Sequence, residues 1–123
     1  MFSERNVSDV AQMLETVLDE GGTAPKARVS GYRVAGKTGT VRKLAANGYD
    51  DGSHVAFFAG FAPAIDPKIV VVVVVNDPIR ETTGGGDVAA PVFSRVVNRA
   101  LRILGVPPAA GYRSRGVIRE LAG

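Results

Sequence analysis

The sequence predicts an α+β fold in which a three-stranded antiparallel sheet is flanked by an N-terminal and a C-terminal helix. Three observations carry this: apolar residues at helical spacing near the start, three β-rich runs separated by turn-like connections, and a second helical stripe after the last run. Val10, Met13, Leu14, Val17 and Leu18 fall at i, i+3, i+4, i+7 and i+8, one face of a helix. Asn6 or Ser8 can cap its start, and Gly21-Gly22 stops it. Residues 23–31 carry Pro25, Lys26 and Arg28 without any period and read as a loop. Tyr32 to Val41 is rich in β-branched residues but interrupted by Gly36 and Gly39, which suggests a strand closely approached by another group.

Residues 43–53, with Asn47-Gly48 and Asp50-Asp51-Gly52, read as a connection, and His54 to Phe61 as the second strand. A turn from Ala62-Pro63 to Asp66-Pro67 precedes the third strand, Lys68 to Val75. Its six consecutive valines, Val70 to Val75, do not alternate with polar residues, which predicts a strand inside a sheet with both faces buried. Asn76-Asp77-Pro78 ends it. Gly84, Gly85 and Gly86 lead into a helix whose stripe is Val88, Val92, Val96, Ala100 and Leu104, flanked by Phe93, Val97 and Leu101. Pro91 sits in its first turn, where a missing N–H costs little, and Gly105 with Pro107-Pro108 terminates it.

Composition narrows the function classes. The chain has 123 residues, 46% apolar and 22% charged, as expected of a globular protein. Its net charge of +3 is concentrated in a tail, residues 109–123, where Arg113, Arg115 and Arg119 face a single Glu120. A basic tail on a nearly neutral body argues against a nucleic-acid groove. With no cysteine, disulfides, thiolate metal sites and cysteine nucleophiles are excluded, and the single histidine, His54, excludes a histidine-cluster metal site. His54 reads as structural, Asp50-Asp51 as a solvated loop tip. The longest wholly aliphatic run, Ile69 to Val75, is far short of the roughly 20 residues that span a bilayer, so the chain itself is expected to be soluble.

The densest chemical signal is Gly31 through Gly36-Lys37-Thr38-Gly39-Thr40. Formally, Gly31 to Thr38 fits a phosphate loop, with Asn76-Asp77 imitating a magnesium-binding acid, so a P-loop nucleotide hydrolase is one reading. Its context is wrong: a phosphate loop follows a buried strand and opens a helix, whereas Pro25 to Ser30 is no core strand and Gly39, Thr40 and Val41 start helices poorly. On the other reading, Lys37-Thr38-Gly39 lies on an edge strand lining a cleft, where backbone groups pair with an extended peptide. Thr38 and Thr40 then offer hydroxyls to a carboxylate, Lys37 a positive charge, and Gly39 room for the peptide backbone. Such a strand serves an enzyme or a peptide-binding module without chemistry.

The Lys37-Thr38-Gly39 element resembles that of penicillin-binding proteins and serine β-lactamases. The likeness extends through Tyr32 to Lys43, Phe58-Ala59-Gly60-Phe61-Ala62-Pro63, Val74 to Pro78, Gly85-Gly86, Ala90 to Ser94 and Val106-Pro107-Pro108. It resembles the C-terminal part of the transpeptidase domain of a class B penicillin-binding protein of the division-specific type, over residues 1–108. The resemblance implies an incomplete portion of that fold, whose full sheet has five strands. It also implies a peptidoglycan D,D-transpeptidase acting on the D-Ala-D-Ala end of stem peptides, acylated by β-lactams, and using no cofactor or metal. By position, Lys37 and the Thr40 backbone N–H fall in the catalytic centre, the latter in the oxyanion hole. Thr38, Gly39 and Thr40 fall on the substrate-binding strand, and Gly84, Gly85 and Gly86 form a flexible rim of the cleft.

In that family the nucleophile is the serine of Ser-x-x-Lys. Here no lysine lies three residues after Ser3, Ser8, Ser30, Ser53, Ser94 or Ser114, and no Ser-x-Asn occurs. The chain is therefore expected to be a C-terminal piece, inactive alone, whose partners are the missing N-terminal part of the domain and division proteins. Its valine strand would present an unpaired apolar edge, so it is expected to be stable only beside the complementary part or as an oligomer. A membrane contact is implied only through an absent N-terminal anchor, which places the full-length protein on the periplasmic side of the inner membrane.

Overall fold

A computed structural model describes residues 2–46, 48–78 and 84–109. Helix α1 (Glu4–Glu15) is capped by Ser3, whose Oγ accepts the Asn6 N–H at 3.2 Å, rather than by Asn6 or Ser8. It tightens into a 3₁₀ turn at Thr16–Leu18, and a second 3₁₀ turn, Pro25–Ala27, lies within the expected loop. Three strands follow, β1 (Ala35–Ala45), β2 (Gly48–Ala62) and β3 (Ile69–Asn76), in one antiparallel sheet of order β1-β2-β3. Helix α2 (Gly85–Val88) is a single turn, and α3 (Ala90–Ile103) closes the fold. The α+β class and the three-stranded sheet flanked by helices are as the sequence predicts. Of the basic tail, residues 110–123 lie outside the described residues.

Several boundaries move. Tyr32 and Val34 are buried ahead of β1 instead of opening it, with Tyr32 donating its hydroxyl to the Val106 carbonyl at 2.7 Å. The expected connection over residues 43–53 is mostly strand: β1 and β2 pair outward to Leu44↔Tyr49 and Ala45↔Gly48, beyond a register shift between Arg42 and Leu44. β1 ends at Ala45 and β2 begins at Gly48, so His54 lies inside β2 rather than at its head. Local composition predicts a loop there, but cross-strand pairing takes up the residues.

The core lies on one face of the sheet. The rungs Ala56↔Val75, Phe58↔Val73 and Gly60↔Val71 set these residues on that face, and α3 lies across it. The Phe93 ring meets the Phe58 ring edge-on, with centroids 4.6 Å apart and planes at 63°. Phe93, Val97 and Leu101 are fully buried, whereas Val92, Val96 and Leu104, read as part of the central stripe, are 40%, 45% and 57% exposed. The apolar arc of α3 is wide, and the sheet selects its flank. Past α3, Gly105 takes a positive φ of 73°, the Val106 N–H reaches the Leu101 carbonyl and the Gly105 N–H that of Arg102, a Schellman end.

Two apolar rows expected to be buried are not. On β3, Val71, Val73 and Val75 turn toward the core, but Val70, Val72 and Val74 are 72%, 59% and 61% exposed. Side chains of a strand alternate between faces whatever their identity, so burial on both sides needs a second layer, and among the described residues none covers this one. Likewise Val10 and Met13 on α1 are exposed, and of that face only Leu18, past the helix end, is deeply buried. Replacing Phe93 by Ala in the intact protein should cost about 3–5 kcal/mol, while Val96→Ala should cost less than about 1 kcal/mol. Denaturant unfolding of the two variants measures the difference.

Candidate functional site

Among the described residues, β1 is an edge strand that pairs with β2 on one side. Lys37, Thr38, Gly39 and Thr40 lie in its first half, opposite Ala59, Phe58, Phe57 and Ala56 respectively. The alternative phosphate-loop reading is thereby excluded: Gly36-Lys37-Thr38 is extended β-strand, followed by more strand, and no helix N-terminus stands at the lysine.

Along an antiparallel edge strand, half of the peptide groups point away from the neighbour. The Lys37 ammonium donates to the Thr38 carbonyl at 2.9 Å and lies 3.4 Å from the Thr38 hydroxyl. Since the C=O of residue i and the N–H of residue i+2 point the same way in a strand, the Thr38 carbonyl and the Thr40 N–H share one side. Lys37 and Thr40 are exposed, Thr38 and Gly39 half-buried. Thr38 also donates from Oγ1 to Thr23 Oγ1 at 3.3 Å, which ties β1 to the segment after the 3₁₀ turn at Thr16–Leu18. The strand thus displays an ammonium, two hydroxyls and free peptide groups within four residues, a set suited to an anionic, extended ligand.

The two sides of this strand are filled by the chain itself. Gly39 and Phe57 face each other on the side away from α3, and the Phe57 ring occupies the space that a Cβ at 39 would need. The room expected there for a peptide backbone is therefore taken by Phe57. On the core side, buried Gly85 rests on the same rung: a Cβ there would collide with the Phe57 carbonyl and stand 2.9 Å from that of Gly39. Gly86 abuts the Thr23 carbonyl in the same way, and a Cβ on it would lie 3.6 Å from Thr38 Cγ2. At Gly84, the half-buried N-cap of α2, an added Cβ would meet nothing nearer than Asp87 Oδ2 at 4.0 Å. Gly85 and Gly86 are packed against β1 and the Thr23 segment. A Lys26–Asp87 ion pair at 3.0 Å pins α2 to the turn at Pro25–Ala27.

Thr23 and Phe57 were invisible as site residues in the sequence. The partial signal for Phe57 is its place next to buried Phe58, since neighbours in a strand face opposite ways. A separate groove of about 430 Å³ runs between α1 and the segment before β1, lined by Gln12, Glu15, Leu18, Arg28, Tyr32 and Arg33. Arg33 grips Glu15 there with two hydrogen bonds of 2.8 and 2.9 Å, and no residue of the Lys37–Thr40 strand lines it. Among the described residues no group of three or more His, Asp or Glu could hold a metal, and no helix is long and apolar enough to cross a membrane.

Residues 1–98 match the family model described as the penicillin binding protein transpeptidase domain. The chain belongs to that family. It is 44% identical over 99 residues to the probable peptidoglycan D,D-transpeptidase PbpC of Pseudomonas aeruginosa, covering 80% of this chain and 18% of PbpC. Against the peptidoglycan D,D-transpeptidase FtsI of Escherichia coli it is 41% identical over 123 residues, 98% of this chain and 21% of FtsI. The apo transpeptidase domain of Burkholderia pseudomallei penicillin-binding protein 3 superposes with a TM-score of 0.79 at 47% identity, covering 87% of this chain and 32% of that one. The chain thus spans about a fifth of the length of the curated relatives and about a third of the solved domain.

Because Gly39 and Phe57 compete for one space, Gly39→Ala should destabilise the intact protein by about 1–3 kcal/mol. The cost should be smaller when Phe57→Leu is already present. Melting curves of the four proteins of this double-mutant cycle give the coupling, and strict additivity would contradict the packing described.

Proposed function

We propose that this chain supplies the substrate-binding edge of a peptidoglycan D,D-transpeptidase that cross-links stem peptides during septal wall synthesis and is acylated by β-lactams. The observation that supports it most is the placement of Lys37-Thr38-Gly39-Thr40 on the free edge of β1, in a chain of the penicillin-binding transpeptidase family. In the reaction, a serine outside this chain attacks the carbonyl carbon of the penultimate D-alanine. The bond to the terminal D-alanine breaks, and that residue leaves with its amine protonated. An amine of a neighbouring stem peptide then displaces the serine, forming the cross-link.

Each strand residue has a part. A peptide or β-lactam lies antiparallel to β1 and uses its outward backbone groups as a further strand would. Its terminal carboxylate is held by the Thr38 and Thr40 hydroxyls beside the Lys37 ammonium, a charge-assisted arrangement stronger than neutral hydrogen bonds. Lys37, already hydrogen-bonded to the Thr38 carbonyl, brings a fixed positive charge to the proton network around the nucleophile. The Thr40 N–H is one of two donors for the oxyanion formed during attack; the other belongs to the serine's own peptide unit. Gly84, at the open end of α2, borders the cleft.

The full-length protein is membrane-anchored with this domain on the periplasmic side, a reading supported by its likeness to FtsI. Its partners are the stem peptide, the remainder of the transpeptidase domain, and division proteins. In the intact protein, Thr40→Pro removes the N–H and should slow acylation by a fluorescent penicillin by about 10²–10³-fold. Lys37→Ala should also slow it, while leaving the melting temperature near that of the parent, because the side chain is exposed. Stopped-flow or gel-based labelling measures both, and unchanged labelling of Thr40→Pro would remove the oxyanion assignment.

A further inference from the structure

The Gly39–Thr40 peptide is one planar unit, so whatever holds the Gly39 carbonyl also aims the Thr40 N–H. That unit is gripped from both faces of the sheet. On one face the Phe57 ring lies against Gly39; on the other, Gly85 of α2 sits on the carbonyls of Gly39 and Phe57 with no space for a single added carbon. Neither jaw is free to drift. Phe57 is built into β2 opposite Gly39, and α2 is tied down by Lys26–Asp87 and by the close seat of Gly86 on the Thr23 carbonyl. The segment also continues into α3, whose Phe93, Val97 and Leu101 anchor it in the core.

From this geometry we infer that Gly85 and Phe57 are positioning residues that set the direction of the Thr40 N–H, acting through the Gly39 carbonyl without touching the ligand. The inference rests on the transpeptidase reading above, which assigns the Thr40 N–H its role. A donor of this kind works only within a few tenths of an ångström of 2.7–3.1 Å from the developing oxyanion. The ground-state carboxylate contacts of Thr38 and Thr40 are side-chain contacts and are less sensitive to a tilt of that peptide. Displacing the rung therefore weakens stabilisation of the transition state more than it weakens binding.

The test is saturation kinetics of acylation by a fluorescent penicillin on the intact protein, separating the limiting acylation rate from the half-saturation concentration. Gly85→Ala should lower the limiting rate by about 10-fold or more, a fraction of the full loss expected on removing the donor, with half-saturation changed less than about 2-fold. Gly105→Ala, strained by its positive φ at the far end of α3, is the control for general destabilisation: it should lower the melting temperature and leave the limiting rate unchanged. If Gly85→Ala does not fold, Phe57→Leu decides, since it loosens the other jaw while keeping an apolar side chain. It should lower the limiting rate by about 3-fold or more at unchanged half-saturation. A parental rate in whichever variant decides, a rate and half-saturation that fall together, or an equal loss in Gly105→Ala, would each overturn the positioning role. Absence of labelling in the parent protein would instead sink the transpeptidase reading, and the positioning role with it.

Discussion

The seating of α3 on one face of β2 is the contact on which the remaining structure depends. Phe93 meets Phe58 edge-on, and the turn of helix ahead of Phe93 carries α2 onto the sheet at the Gly39↔Phe57 rung. An edge strand has ladder bonds on one side only, so β1 owes its position to β2 and to whatever lies over it. Here α2 lies over it, held at one end by the buried row of α3 and at the other by Lys26–Asp87. Among the described residues, the outer edge of β1 is thus unpaired while the strand is seated against β2 and α2.

The two faces of the sheet differ sharply. One is closed by α3, with Phe58, Phe93, Val97 and Leu101 fully buried, and the other carries exposed Val70, Val72 and Val74 beside half-buried Phe57 and Phe61. Exposed valines on a sheet face with a free edge are the arrangement that natural proteins ordinarily cover or interrupt with charge. The chain spans about a third of the solved transpeptidase domains that it superposes on.

Electrostatically the site is built on one ammonium and a set of neutral donors. The Lys37 ammonium donates to the Thr38 carbonyl, which orients the side chain along the strand edge. Thr38 is oriented in turn by Thr23. Under the proposed reading, the donor that needs little reorganisation when negative charge develops beside it is the backbone N–H of Thr40, whose direction is set by the strand. Elsewhere, ion pairs such as Lys26–Asp87 and Lys43–Asp77 are partly exposed and matter more for placing segments than for their small net energies.

The sequence by itself determined the order and type of the main elements and the residues of the chemical strand. Helical spacing, β-branched runs, capping glycines and the Lys37-Thr38-Gly39-Thr40 string are all local patterns, and local patterns survive without knowledge of the fold. It could not determine the length of the β1–β2 hairpin, because residues 43–53 look like a turn until a partner strand pairs with them. It also misjudged which apolar rows are buried: a run of six valines has no period, and the wide stripe of α3 does not say which flank meets the sheet. Only tertiary structure decided that Val96 is outside and Val97 inside, that Phe57 fills the space above Gly39, and that Gly85 seals it from the other side. Those choices follow from strand register and long-range packing, which join residues dozens of positions apart and leave no trace in local periodicity.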